Sequence, residues 1–148
     1  MINISINSKF KKLIQQSVIE TVANKVFSHL KVTNNPELSI VINNDQFIQN
    51  LNFEFRGLDE PTDVLSFPSD EIDPQTGIHY LGDIIISFPR AVDQAQKGSH
   101  SVQDEMSLLT IHGILHLLGY DHEEMEDQKV MWKIQRELLT ELGCQIEI

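Results

Sequence analysis

The chain has 148 residues, 41% of them hydrophobic, with 11 Lys and Arg against 22 Asp and Glu and a formal charge of −11. That balance excludes a protein coated in positive charge that grips nucleic acid or an anionic membrane through counterion release, and the hydrophobic content excludes a disordered chain. The length fits one domain, residues 1–148, with a core that needs no disulfide; the single Cys144, the lack of a charged-then-apolar leader at Met1–Asn7 and the lack of any apolar run of about 18 residues point to the cytoplasm.

Ile2, Ile4 and Ile6 alternate with polar residues and predict a short half-buried strand, after which Asn7-Ser8 offers a helix N-cap. Apolar residues at helical spacing (Ile14, Val18, Val22, Val26, Leu30) predict a helix over Phe10–Leu30. Glu37–Asn43 is almost continuously apolar at its centre, which predicts an inner strand covered on both faces. Asn43-Asn44-Asp45 can cap a short helix through about Phe55, ended by Gly57. Asp63–Phe67 reads as a strand closed by Pro68, Ser69–Gly77 as a surface loop, and His79–Ser87 as a strand centred on Ile84-Ile85-Ile86. Phe88-Pro89 starts a helical segment that Gly98 ends. Ser101-Val102-Gln103-Asp104 has the form of a capping box and opens an apolar helix that runs to Leu118. A last helix covers about Glu124–Leu142, before Gly143. With no internal repeat and no linker, the pattern predicts a single-domain α+β layered fold: a roughly four-stranded mixed sheet packed by helices.

Three of the six histidines fall in His112-Gly113-Ile114-Leu115-His116-Leu117-Leu118-Gly119-Tyr120-Asp121-His122. His112 and His116 lie four apart on the predicted helix, about 40° apart around its axis and roughly 6 Å apart along it, so both imidazoles reach one point. Gly119 can take the left-handed conformation that stops the helix and turns the chain, returning His122 as a third ligand. Three neutral imidazoles leave a divalent ion with an open position, the arrangement of a catalytic site, and one Zn²⁺ suits that donor set. The plain alternative for an i, i+4 histidine pair is two ordinary helix residues.

The spacing H-x-x-x-H-x-x-G-x-x-H is also that of the metzincin peptidases, whose metal-binding helix this segment resembles. Those enzymes place Glu after the first His as general base; here Gly113 can neither accept a proton nor orient water. Peptide hydrolysis by that route is therefore disfavoured.

Arg56 is the sole Lys or Arg between Lys31 and Arg90, in a span rich in carboxylates. Its plain reading is a salt bridge with Glu54, Asp59 or Asp63; its sharper reading is a phosphate or transition-state clamp. Thr62 and Asp63 read as satisfying backbone groups at a strand entrance.

The blocks FRGLDEPTDVLSFP, LGDIIIS (Leu81–Ser87) and HGILHLLGYDH, in this order and at this chain length, resemble the YbeY family of bacterial rRNA maturation endoribonucleases. The resemblance spans Leu51 to His122 and implies a metal-dependent, single-strand-specific endoribonuclease acting in 16S rRNA 3′-end maturation, ribosome assembly and ribosome quality control. It implies His112, His116 and His122 as zinc ligands, with His112 and His116 in the catalytic centre, and Arg56 as important for activity. It also implies single-stranded 16S precursor rRNA, ribosomal small-subunit components and the GTPase Era as partners. Rival readings are a non-catalytic zinc-containing assembly factor and, more remotely, a metallopeptidase-like hydrolase. The residues leave open whether water or the ribose 2′-OH attacks, and which group is the base.

Other residues have plainer expected roles. His29 and His100 read as surface or helix-end residues and His79 as structural. Asp121 reads as either a partner of a ligand imidazole or a cap on the last helix, and Asp83, beside Gly82, as a weak cleft candidate. Phe53, Phe55 and Phe67 suit core packing better than base stacking, and Glu123, Glu124, Glu126 and Asp127 complement the last helix dipole. The charge is uneven: Met1–Lys31 holds five Lys and one Glu. Lys9, Lys11 and Lys12 are read near a helix N-terminus as a solvated face, with a phosphate-steering patch as the alternative.

Overall fold

Four strands make one mixed sheet in the order β1 (Ile2–Ile6), β2 (Glu37–Asn43), β4 (Tyr80–Ser87), β3 (Val64–Pro68) in the computed structural model, which describes residues 1–146. β1, β2 and β4 run parallel, and β3 pairs antiparallel with β4 as the outer strand. Five helices, α1 (Gln16–His29), α2 (Asp45–Arg56), α3 (Phe88–Gly98), α4 (Val102–Leu117) and α5 (Met125–Glu141), complete the α+β fold.

Strand alternation sorts the core into two parts. Leu38, Ile40, Ile42, Ile84 and Ile86 face α1 and α4 in the main core, whereas Leu65 and Ile85 face the other way and pack with Ile48 of α2. α4 is the central helix, buried along nearly its whole length, including Ser107, Thr110 and Gly113. This explains why its sequence is apolar on every side. β2 is an inner strand as predicted, but its residues alternate between buried and partly exposed, because α2 covers only part of the second face.

The first helix starts at Gln16, later than Phe10. Asn7 does direct the chain, but through a local turn: its Oδ1 accepts from Lys9 N at 2.9 Å and its carbonyl from Phe10 N at 2.8 Å. Phe10 then packs against Phe88 with ring centroids 4.9 Å apart, and Ile14 is buried. These two residues keep helical spacing because they anchor successive turns. Lys9, Lys11 and Lys12 consequently oppose no helix dipole. They lie in the segment that follows β1, and none of them lines the histidine cleft.

Candidate metal centre

Ser101 caps α4, its Oγ accepting from Asp104 N at 3.0 Å. At the other end Gly119 adopts φ +97°, Gly119 N donates to His116 O at 3.0 Å, and Tyr120 N to Leu115 O at 2.9 Å. A Cβ at Gly119 would meet nothing within 4 Å, so glycine is needed there for its backbone conformation alone. The turn folds His122 back over the helix end. Imidazole centroids are then 4.6 Å apart for His112 and His116, 5.3 Å for His112 and His122, and 5.0 Å for His116 and His122. One ring nitrogen from each lies within 4.8 Å of the other two.

The hydrogen bonds decide which nitrogens face inward. His112 Nδ1 lies 2.8 Å from Gln135 Oε1 and His116 Nδ1 lies 3.0 Å from the Tyr120 carbonyl. Both partners are acceptors, so each Nδ1 carries the proton and each Nε2 keeps a lone pair. The two Nε2 atoms are 3.1 Å apart. Burial, reinforced by the neighbouring imidazoles, holds both histidines below the ordinary imidazole range, against the Gln135 and Tyr120 bonds. Two neutral acceptors aimed at each other repel. A divalent cation between them and His122 removes that repulsion, and the all-imidazole donor set fits Zn²⁺.

Gly113 has a packing reason. A Cβ there would lie 2.7 Å from Ile84 Cγ2 and 3.2 Å from its Cγ1 and Cδ1, so α4 approaches β4 through this glycine. The metzincin-type glutamate has no room at this position. Gly113→Ala is expected to destabilise the fold by about 1–3 kcal/mol through overpacking, read as a lower urea midpoint with unchanged slope.

The histidines open onto a cleft of about 770 Å³ whose walls include Arg56, Asp63, Ser66, Asp121, Glu123 and Trp132. Arg56 is exposed and donates from Nη2 to Ser66 O at 3.3 Å. Among the described residues it forms no ion pair, so the expected salt bridge with Glu54, Asp59 or Asp63 does not form. Asp63 Oδ1 accepts from Val64 N at 2.8 Å, the expected role at the strand entrance, while the residue also lines the cleft. Asp121 Oδ1 accepts from His122 N at 2.7 Å and so holds the third histidine's backbone.

Other candidates stand elsewhere. His79 Nε2 bonds the Ser69 carbonyl, a structural role. His29 ends α1 between Glu137 and Glu141. His100 is the helix-end residue expected, just past the α3 C-cap, with its side chain largely buried 2.6 Å from Glu105. Asp83 accepts from Tyr80 Oη and does not line the cleft. The close approach at Gly82 is made by β3. Phe53 and Phe55 are exposed, contrary to the core packing expected for them. Two site residues escaped the sequence reading: Gln135, and Trp132, whose ring centroid lies 5.5 Å from that of His122. The available signal for Gln135 was its polar side chain on the same α5 stripe as Met131, Leu138 and Leu139.

A mixed sheet, a central helix with an i, i+4 imidazole pair, and a third histidine beyond a glycine turn define a protein with a candidate three-histidine metal site. The profile of the endoribonuclease YbeY family matches residues 2–143. A protein of Dehalococcoides mccartyi called Endoribonuclease YbeY is 43% identical over 143 residues, covering 88% of this chain and 83% of that one. A protein of the same name from Sulfurihydrogenibium sp. is 42% identical over 140 residues, covering 93% and 90%. The solution structure of TM1509 from Thermotoga maritima superposes with a TM-score of 0.63 at 29% identity, covering 97% of this chain and 92% of that chain. The chain belongs to the endoribonuclease YbeY family, hydrolases that act on RNA. No helix among the described residues is long and apolar enough to cross a membrane.

Proposed function

We propose that the chain, acting as one domain, is a zinc-dependent endoribonuclease that cleaves single-stranded RNA through His112, His116, His122 and Arg56. One observation carries this reading: two lone-pair-bearing Nε2 atoms 3.1 Å apart line the same cleft as an arginine with no carboxylate partner among the described residues. The cleft joins a place for a cation to a place for a phosphate. The family resemblance supports the finer assignment to 16S rRNA 3′-end maturation, ribosome assembly and quality control in the cytoplasm, with small-subunit components and the GTPase Era as partners.

When bound, zinc supplies Lewis acidity for a phosphoryl oxygen and a source of hydroxide near neutral pH. The protein's own groups do the rest. Gln135 and the Tyr120 carbonyl lock the ligand tautomers. The Arg56 guanidinium holds two phosphate oxygens and offsets charge that builds on them as the phosphorus is attacked. Gly113 cannot act as base, which leaves the three carboxylates that line the cleft, Asp63, Asp121 and Glu123, as the candidate side-chain bases.

The test is cleavage of single-stranded 16S precursor RNA by the zinc-loaded protein. Arg56→Ala is expected to lower kcat/KM by about a hundredfold, about 2.7 kcal/mol, with an unchanged circular dichroism spectrum. A 2′,3′-cyclic phosphate on early products identifies the ribose 2′-OH as the attacking group, and its absence identifies water. A zinc-loaded parent that leaves this RNA intact overturns the reading.

A further inference from the structure

We propose that Phe55, seated on Phe67, is a stacking platform for one unpaired base of the RNA strand whose phosphate Arg56 holds; this rests on the RNA reading of the histidine cleft. Phe55 lies in the last turn of α2 and is 62% exposed. Its ring packs on Phe67 at 5.4 Å between centroids and 58° between planes, which supports the ring from one side and leaves the other in water. Burying so large an apolar surface is favourable, yet no element of the described chain covers it.

The platform adjoins the cleft across one strand. Along β3, Val64, Ser66 and Pro68 line the histidine cleft, while Leu65 and Phe67 pack toward α2 on the opposite face. Because β3 is an outer strand, nothing in the sheet pairs with its far edge. Arg56 spans that edge. Its guanidinium bonds the Ser66 carbonyl, lines the cleft, and stands 5.9 Å from the Phe67 centroid. A chain that lays a phosphate on Arg56 with its scissile neighbour toward the histidines therefore brings an adjoining base to the Phe55–Phe67 pair.

The chemistry selects a single strand. In a duplex both faces of a base are covered by its neighbours, so only an unstacked base can lie on Phe55. The charge of the chain favours the same solution. At −11 the protein gains little from counterion release, and stacking adds affinity that does not depend on salt. A protein partner would find the same apolar surface, but the guanidinium at its rim, which has no carboxylate partner among the described residues, matches a phosphodiester.

The experiment measures binding of a short, fluorescein-labelled, single-stranded 2′-O-methyl phosphorothioate RNA, which resists cleavage, to the zinc-loaded full chain. Phe55→Ala is expected to weaken binding about tenfold, about 1.4 kcal/mol. Phe55→Leu is expected to weaken it nearly as much, and Phe55→Trp to retain it. Removing one base from the strand should cost the parent about tenfold and cost Phe55→Ala nothing further, the non-additivity of a direct contact. Unchanged affinity in Phe55→Ala, or Phe55→Leu binding as well as the parent, overturns the platform; the second result marks an apolar protein-docking patch instead. A parent that binds the strand through Phe55 yet cleaves no RNA keeps the platform and overturns the nuclease reading. A parent that cleaves, with KM untouched by Phe55→Ala, does the reverse. A parent that does not bind the strand overturns both.

Discussion

His116→Ala is expected to lower cleavage of single-stranded RNA by about a thousandfold or more, about 4 kcal/mol of transition-state stabilisation, and to empty the protein of tightly held zinc. The substitution removes one of three donors and one of the two Nε2 atoms that face each other at 3.1 Å. Three protein ligands are the usual number for a catalytic zinc site, and two do not hold the ion. The fold should survive. The ring is only partly buried, and its loss leaves the Tyr120 carbonyl without this partner, a cost of about 1–3 kcal/mol. His112→Ala makes an informative comparison, because it strands the side chain of Gln135, which is 4% exposed, without its histidine partner. Zinc content by elemental analysis, urea unfolding and cleavage rate, measured on one preparation, separate the metal from the fold. A His116→Ala protein that has lost its zinc and still cleaves at the parental rate would remove the metal from the mechanism.

Gly82→Ala is expected to cost about 4 kcal/mol or more, a large share of the total stability of a domain of this size. Gly82 sits in β4 at φ +133°, and a Cβ there would lie 2.1 Å from the Phe67 carbonyl oxygen and 3.0 Å from Phe67 C and Pro68 Cα. All three atoms are backbone, so no side chain can rotate away. The position also adjoins the irregularity in the β2–β4 ladder between Glu37 and Leu38, where one residue of β4 is passed over. Relief requires β3 to move off β4, and β3 carries Ser66 and Pro68 on the cleft wall and the carbonyl that Arg56 bonds. The variant should therefore unfold at much lower urea than the parent, and its remaining folded fraction should cleave poorly. A midpoint matching the parent's would show that the strands separate at little cost.

The elements that were legible are those whose signal is local. Alternation in β1, the apolar centre of β4, the Ser101 cap and the left-handed Gly57 and Gly119 all follow from patterns within a few residues. The misread start of α1 shows the limit. Phe10 and Ile14 keep helical spacing, but the turns that carry them are held by Asn7 and by packing on Phe88, which lies far away in sequence. Arg56 shows it at the site. Sequence proximity to Glu54, Asp59 and Asp63 favoured an ion pair, whereas the end of α2 aims the guanidinium across β3 to the Ser66 carbonyl.

By itself the sequence determined the histidine pair, the glycine turn and the third histidine. A helix has one pitch, so residues four apart share a face whatever surrounds them, and a glycine at a helix end turns the chain at little cost. Only the tertiary structure decided which ring nitrogens face inward, because Gln135 reaches His112 from another helix. It alone decided why Gly113 replaces the peptidase glutamate, because the obstacle is Ile84 in β4. And it alone left Phe55 exposed beside the cleft, because that depends on what covers the outer strand, which no local spacing encodes.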